Sequence, residues 1–249
     1  MARGVISMSC LGKIGRFANQ MVQYAFLRTY ARRHGLIPQA PPWIGNYLFD
    51  TRDAPIDSAL AEFRDPHDKD PQRMIIPKLS EPLCDVDAWG YFQYHTDYYA
   101  PDRDFIRSLF QPAPAIAQRL QPAAERLRQE GETVVAFHVR RGDYGKDYFY
   151  LAPNAWYLQW LERYWSELAN PVLLIASDEP EIVLPAFKRY QPLTARRLGA
   201  TLRQAPFYPD FFLLSQADAL VFPNSTFSFM AAMLNHRLQA AYRSRLCET

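Results

Sequence analysis

The sequence predicts an α/β protein built as two Rossmann-like domains, with a parallel sheet covered by helices on both faces in the C-terminal half. Three observations support this. From residue 133 onward, short apolar runs rich in β-branched residues alternate with helical segments, a pattern that gives a parallel sheet. The chain opens with a short apolar run, a glycine loop and a long helical segment, the layout that sets a helix N-terminus beside a bound anion. Polar residues able to bind an anionic ligand fall at the carboxyl ends of several of the predicted strands, where ligands of open α/β sheets bind.

The elements follow in order. Val5-Ile6-Ser7-Met8 reads as a strand, and the segment 11–16, with Gly12 and Gly15, reads as a loop. Residues 19–34 form a helix with an apolar stripe of Met21, Ala25, Leu27 and Tyr30, stopped by Gly35. Residues 38–82 carry many prolines and mixed charges and read as irregular. Within them His67 stands in an acidic, proline-bounded loop and reads as a solvated histidine rather than a metal ligand. A strand is expected over 89–94 and a helix over 101–109. Residues 112–130 are helical in composition and end at Gly131, which places the domain boundary between 130 and 131. The second domain then reads as strand 133–139, helix 154–169, strand 172–176, helix 180–189, a strand near 193–198, helix 208–216, strand 219–222, helix 225–235 and strand 238–242. No internal repeat interrupts this order.

The segment with most chemistry is Phe137-His138-Val139-Arg140-Arg141-Gly142-Asp143-Tyr144. A buried strand ends in two guanidinium groups, each a planar, permanently charged fork that fits phosphate bidentately. Two of them suggest a diphosphate. Asp143 can hold a guanidinium or accept a hydroxyl proton. The plainer alternative is a solvated basic turn closed by an Arg–Asp pair. Alternation along the strand puts His138 and Arg140 on one face. Ser177-Asp178 and Asn224-Ser225-Thr226 stand at two further strand ends. Ser225 and Thr226 open a helix and either donate to phosphate or simply cap it.

These segments resemble those of the GDP-fucose-dependent fucosyltransferases, which carry a His-x-Arg-Arg-x-Asp motif. The α1,2 group, glycosyltransferase family 11, fits best. Gly15-Arg16-Phe17-Ala18-Asn19-Gln20-Met21-Val22-Gln23-Tyr24-Ala25 is similar to its N-terminal motif, Gly90-Tyr91-Phe92-Gln93 to its Gly-Tyr-x-Gln segment, and Ala176-Ser177-Asp178 and Asn224-Ser225-Thr226-Phe227-Ser228 to its later motifs. The chain has Ala18 where the family usually has a second glycine, and Phe229-Met230 where it usually has Trp-Trp.

The resemblance implies a GT-B-like architecture with an interdomain cleft, the acceptor side in residues 1–130 and the GDP-sugar site in 131–249. It implies an inverting transfer of L-fucose from GDP-β-L-fucose to a glycan hydroxyl, α1,2 on galactose. The alternatives are another linkage such as α1,6, another GDP-sugar, or an inactive carbohydrate-binding homologue. Arg140 is then the contact to the β-phosphate, with Arg141 second or structural. His138 meets the donor ribose or phosphate, or is a satisfied core histidine. Asp178 accepts from the guanine edge, or caps the helix from Pro180. Gly15, Asn19 and Gln20 belong to the substrate-binding set, and Asp143 to the catalytic one. Asp143 and Asp147 are the acids near the donor motif, and neither is assigned as a base. No metal or other cofactor is expected, because arginine can supply the electrostatics that a cation otherwise supplies. The Asp-x-Asp triplet Asp85-Val86-Asp87 lies far in sequence from the donor motifs.

Bulk properties narrow the class. A net charge of +2 argues against nucleic acid as a partner. The expected partners are a GDP-sugar donor and an oligosaccharide or lipid-linked glycan acceptor, the latter compatible with peripheral membrane association. Three cysteines, Cys10, Cys84 and Cys247, make neither a disulfide framework nor a metal spacing. With no apolar run near the ~20 residues of a membrane span and no signal core, a cytoplasmic bacterial enzyme is expected. Aromatic residues make up 14% of the chain, so core packing claims most of them, and some could line an acceptor groove.

Overall fold

The computed structural model of the chain describes residues 4–66, 75–145 and 150–244. His67, Asp147 and Cys247 lie outside the described residues. The chain divides into two compact units, Met1–Ala113 and Pro114–Thr249.

The first unit holds a four-stranded parallel sheet. Its strands are β1 (Val5–Ser7), β2 (Ile37–Gln39), β3 (Ala61–Arg64) and β4 (Val86–Trp89), in the order β2-β1-β4-β3. Helix α1 (Phe17–His34) connects β1 to β2. It buries Met21, Tyr24, Phe26, Leu27 and Tyr30. It ends at Gly35, which takes the left-handed conformation at φ 66°. Arg32, Arg33 and His34 stand in its last turn, where the helix dipole favours cations. Three short helices follow: α2 (Ile44–Phe49), α3 (Thr96–Tyr99) and α4 (Arg103–Leu109).

The region read as irregular thus contains β2, α2 and β3. Both strands sit at the edges of the sheet. An edge strand tolerates Pro38, which cannot donate to a ladder, and the charged pattern of Ala61-Glu62-Phe63-Arg64, with three of its four residues exposed. Arg64 lies over the Trp89 ring at 4.1 Å. The strand expected over 89–94 instead occupies 86–89, because Gly90 (φ 157°) and Phe92 (φ 53°) break the extended run.

The second unit begins with helix α5 (Pro114–Gln129), followed by β5 (Thr133–Val139), α6 (Asn154–Tyr164), β6 (Pro171–Ser177), α7 (Pro180–Val183), a 3-10 helix from Leu184 to Tyr190, α8 (Tyr208–Leu214), β7 (Ala219–Phe222), α9 (Thr226–Leu234) and β8 (Ala240–Arg243). All four strands are parallel, in the order β6-β5-β7-β8. The sequence reading put α5 on the N-terminal side of the boundary, whereas the structure groups it with the second unit. There Arg126 donates through Nε to Leu198 O at 3.0 Å, Arg119 donates to Thr201 O at 2.9 Å, and Arg128 pairs with Asp218. Val135, Phe137, Val139, Tyr157, Leu161, Leu173, Ile175, Phe187 and Val221 form one buried cluster.

The strand expected near 193–198 is reduced to a bridge. Leu193 pairs with Leu174 at the outer edge of β6. The chain then turns, with the Arg197 N–H donating to Thr194 Oγ1 at 3.2 Å and Gly199 at φ 71°.

The strand order has a direct consequence. The chain leaves β5 to build β6 on one side and returns to build β7 on the other. The carboxyl ends of β5 and β7 therefore flank a topological switch point, the place where open α/β sheets bind ligands. Those ends carry Arg140-Arg141 and Asn224-Ser225-Thr226.

Candidate active site

β5 is buried along nearly its whole length, so its polar residues have defined partners. His138 is 5% exposed. Its Nδ1 lies 3.0 Å from Ser228 Oγ, and its ring sits 5.2 Å from that of Phe227. Burial pushes the imidazole down to about 4, against a smaller upward pull from Asp178. His138 is therefore neutral at physiological pH and is held between β5 and α9.

Arg140 leaves the sheet into a ring of acceptors. Its Nε and Nη2 donate to Asp143 Oδ1 at 3.0 and 2.6 Å, and its Nη1 lies 3.1 Å from Asp178 Oδ2. Its guanidinium carbon is 5.9 Å from the Tyr144 ring centre. Asp178 also accepts the Arg141 backbone N–H at 2.8 Å. A Cβ at Gly142 would lie 2.6 Å from Asp178 Oδ2, so a side chain there would shift that carboxylate. Arg141 turns the other way: Nη1 donates to Ala152 O at 2.8 Å and Nη2 to Asn154 Oδ1, fastening the loop to the start of α6. The two arginines thus divide: Arg140 meets carboxylates beyond the strand end, and Arg141 anchors the loop to α6.

The β7 end meets this centre through Tyr144, whose hydroxyl donates to Asn224 O at 2.6 Å. Burial raises the Tyr144 pKa, and a hydrogen bond with the Ser225 side chain partly offsets the rise. Arg243 holds Asn224 Oδ1. Ser225 occupies the N-cap of α9 by backbone geometry, but its side chain makes no cap bond. Plain capping therefore does not account for its hydroxyl. Thr226 begins the helix, whose first-turn N–H groups favour an anion.

Sequence reasoning missed Asp210. A cavity of about 760 Å³ opens by Ser177 at the carboxyl end of β6, lined also by Glu181, Thr194, Arg196, Arg203 and Asp210 among others. Asp210 stands in the first turn of α8. Desolvation pushes its carboxyl from 3.8 up to about 7. The available signal was a lone acid inside Phe207-Tyr208-Pro209-Asp210-Phe211-Phe212-Leu213-Leu214, where a first-turn helix acid is unremarkable by pattern.

In the first unit, Gly15, Asn19 and Gln20 form a separate cluster. Gln20 Nε2 donates to Gly15 O at 3.2 Å, Gln93 Nε2 to Asn19 Oδ1 at 3.0 Å, and the buried Gln23 to Gly90 O at 2.9 Å. The two N-terminal motifs are thus tied to each other. Gly15 sits at φ 72°, and a Cβ there would lie 2.6 Å from Asn19 Cβ and 2.9 Å from the Tyr91 ring. Gly15→Ala should cost at least about 1–2 kcal/mol, the usual cost of a left-handed conformation for a residue with a Cβ. Chemical denaturation checks this, and an unchanged midpoint would contradict it. Asp85 and Asp87 are spent on structure. Asp85 accepts the Val5 N–H, and buried Asp87 accepts from the Ser7 hydroxyl and from both the N–H and the hydroxyl of Ser9. Among the described residues, no three His, Cys, Asp or Glu side chains are grouped to hold a metal, and no helix is long and apolar enough to cross a membrane.

The second unit thus places an arginine, a hydroxyl pair and a helix N-terminus at its switch point, where open α/β sheets bind ligands. The model of glycosyl transferase family 11 matches residues 78–240, and the chain belongs to that family. In sequence, no curated protein matches it. Among solved structures it is similar in fold to apo POFUT1 (TM-score 0.61, 15% identity, covering 96% of this chain and 97% of that one). It is similar also to the α-1,6-fucosyltransferase NodZ soaked with GDP-fucose (TM-score 0.62, 12% identity, 94% and 93% covered), an enzyme from Bradyrhizobium. A mutant of Arabidopsis thaliana FUT1 in complex with GDP is a third (TM-score 0.63, 13% identity, 98% and 71% covered).

Proposed function

We propose that the chain is an inverting, metal-independent fucosyltransferase that moves L-fucose from GDP-β-L-fucose to a glycan hydroxyl, with α1,2 linkage to galactose. The observation that carries this reading is Arg140 at the end of β5, joined through Tyr144 to the opening of α9 at the switch point. Family membership supports the reaction class, and the fold shared with fucosyltransferases supports the donor.

Arg140 binds the β-phosphate, and Ser225, Thr226 and the first N–H groups of α9 complete the diphosphate cradle. His138, neutral and buried, positions α9 through Ser228. The guanine edge falls to Asp210 rather than Asp178. Asp178 already accepts from Arg140 and from the Arg141 N–H, whereas the Asp210 side chain makes no hydrogen bond among the described residues and lines the cavity of about 760 Å³. A carboxylate there accepts from guanine N1–H and N2–H₂, which uracil cannot offer as a pair. The N-terminal unit serves the acceptor side.

The acceptor oxygen attacks C1 from the face opposite the phosphate, so the β-linked donor gives an α-linked product. The transition state has oxocarbenium character, and negative charge grows on the departing β-phosphate. A preorganised guanidinium stabilises that charge. Incubation with GDP-β-L-fucose and a galactosyl acceptor should yield an α-fucosylated product, with turnover largely intact in excess EDTA. Loss of activity with EDTA and its return with Mn²⁺ would overturn metal independence. Product linkage by NMR decides between α1,2 and α1,6.

A further inference from the structure

The Nε–Nη2 edge of Arg140 is the fork that would grip a phosphate bidentately, and Asp143 Oδ1 occupies it at 3.0 and 2.6 Å. Asp178 takes the remaining Nη1 at 3.1 Å. Both carboxylates contact the one guanidinium, and a sugar diphosphate is itself an anion. At contact distance such repulsion is substantial even with partial solvent screening, so one carboxylate has to yield. Asp178 is the fixed one: its side chain is 21% exposed and it accepts the Arg141 N–H. Asp143 stands on the turn beyond the strand, and its side chain is 47% exposed.

We propose that Asp143 is a displaceable stand-in for the donor's β-phosphate, and that its release makes it the base for the acceptor hydroxyl. This inference rests on the reading of the protein as a GDP-sugar transferase. As the phosphate takes over Nε and Nη2, the Asp143 carboxylate gives up its pair with Arg140, and losing a nearby cation makes a carboxylate a better proton acceptor. The acceptor oxygen then forms a bond to C1 with its own electron pair, and its proton passes to Asp143. The bond from C1 to the β-phosphate oxygen breaks, and its electron pair leaves with GDP.

The two roles predict effects of opposite sign from one substitution. Asp143→Asn should bind GDP several-fold more tightly by calorimetry, because the competing charge is gone. The same variant should turn over about a hundredfold more slowly, the ordinary loss for a general base. Formate should partly restore turnover to Asp143→Ala, an effect that a merely structural role would not give. Weaker GDP binding by Asp143→Asn would show that Asp143 props Arg140, and would overturn the proposal. Tighter binding with unchanged turnover would overturn the base. Failure of the wild type to bind GDP would instead bring down the transferase reading on which the inference stands.

Discussion

Arg140→Ala should lower turnover by about a hundredfold or more, the scale seen when one preorganised donor to a developing charge is lost. In this site the loss has two parts. The leaving β-phosphate loses the cation that strengthens its hold as charge accumulates. The guanidinium also offsets charge on Asp143 and Asp178, so ground-state binding of GDP should weaken as well. Lysine should rescue poorly, because a point charge cannot span two carboxylates and a phosphate as a fork does. Arg141→Ala should behave differently. It loses the bonds to Ala152 O and Asn154, which tie the loop to α6, so melting temperature should fall more than the rate of chemistry. Steady-state kinetics with thermal melts of both variants separates the two arginines. Near-normal rates for Arg140→Ala with a dead but folded Arg141→Ala would reverse their roles.

The second large effect is expected at Asp210. Hydrogen bonds to a charged group contribute about 1.5–3 kcal/mol, so Asp210→Asn should weaken GDP binding roughly ten- to a hundredfold. The pH dependence carries its own signature. Desolvation lets the Asp210 carboxyl keep its proton up to about 7, while two N–H donors on the base edge select the ionised form. Wild-type affinity for GDP should therefore fall as pH drops through 7, approaching tenfold per unit, and the Asn variant should be flat. Stability runs in the opposite sense. A carboxyl whose folded pKa lies above its unfolded value of about 3.9 destabilises the fold increasingly from there to about 7, and fully above it. Asp210→Asn should accordingly melt higher than wild type at pH 8, and the difference should vanish near pH 4. A pH-independent loss of GDP affinity, or no loss, would remove Asp210 from the base pocket.

These two residues also mark what the sequence made legible. Strand β5 was readable to the residue, because a strand buried on both faces appears as an unbroken apolar run, and Arg140 was therefore placed correctly at its end. Ser225 and Thr226 were visible for the same reason at the end of β7. The capture of Asp178 by Arg140 was not visible. It depends on β5 and β6 lying side by side with Val139 opposite Ser177, a long-range register that no local pattern encodes. Asp210 was hidden because its chemistry comes from desolvation against a cavity, while its sequence context is that of an ordinary apolar helix. In the first unit the edge strands β2 and β3 escaped notice because edges accept proline and charge. The place of α5 was missed because Gly131 ends the helix cleanly, while the bonds that bind α5 to the second unit come from Arg119, Arg126 and Arg128 and reach residues 72 to 90 positions away.

The switch point of the second unit, as proposed, is a guanine-nucleotide diphosphate site served by arginine rather than metal. Calorimetric titration of the protein with GDP and with UDP, in buffer containing EDTA, tests it most directly. GDP should bind and raise the melting temperature, and UDP should do neither. Equal binding of the two nucleotides, or GDP binding that appears only when a divalent cation is added, would contradict it.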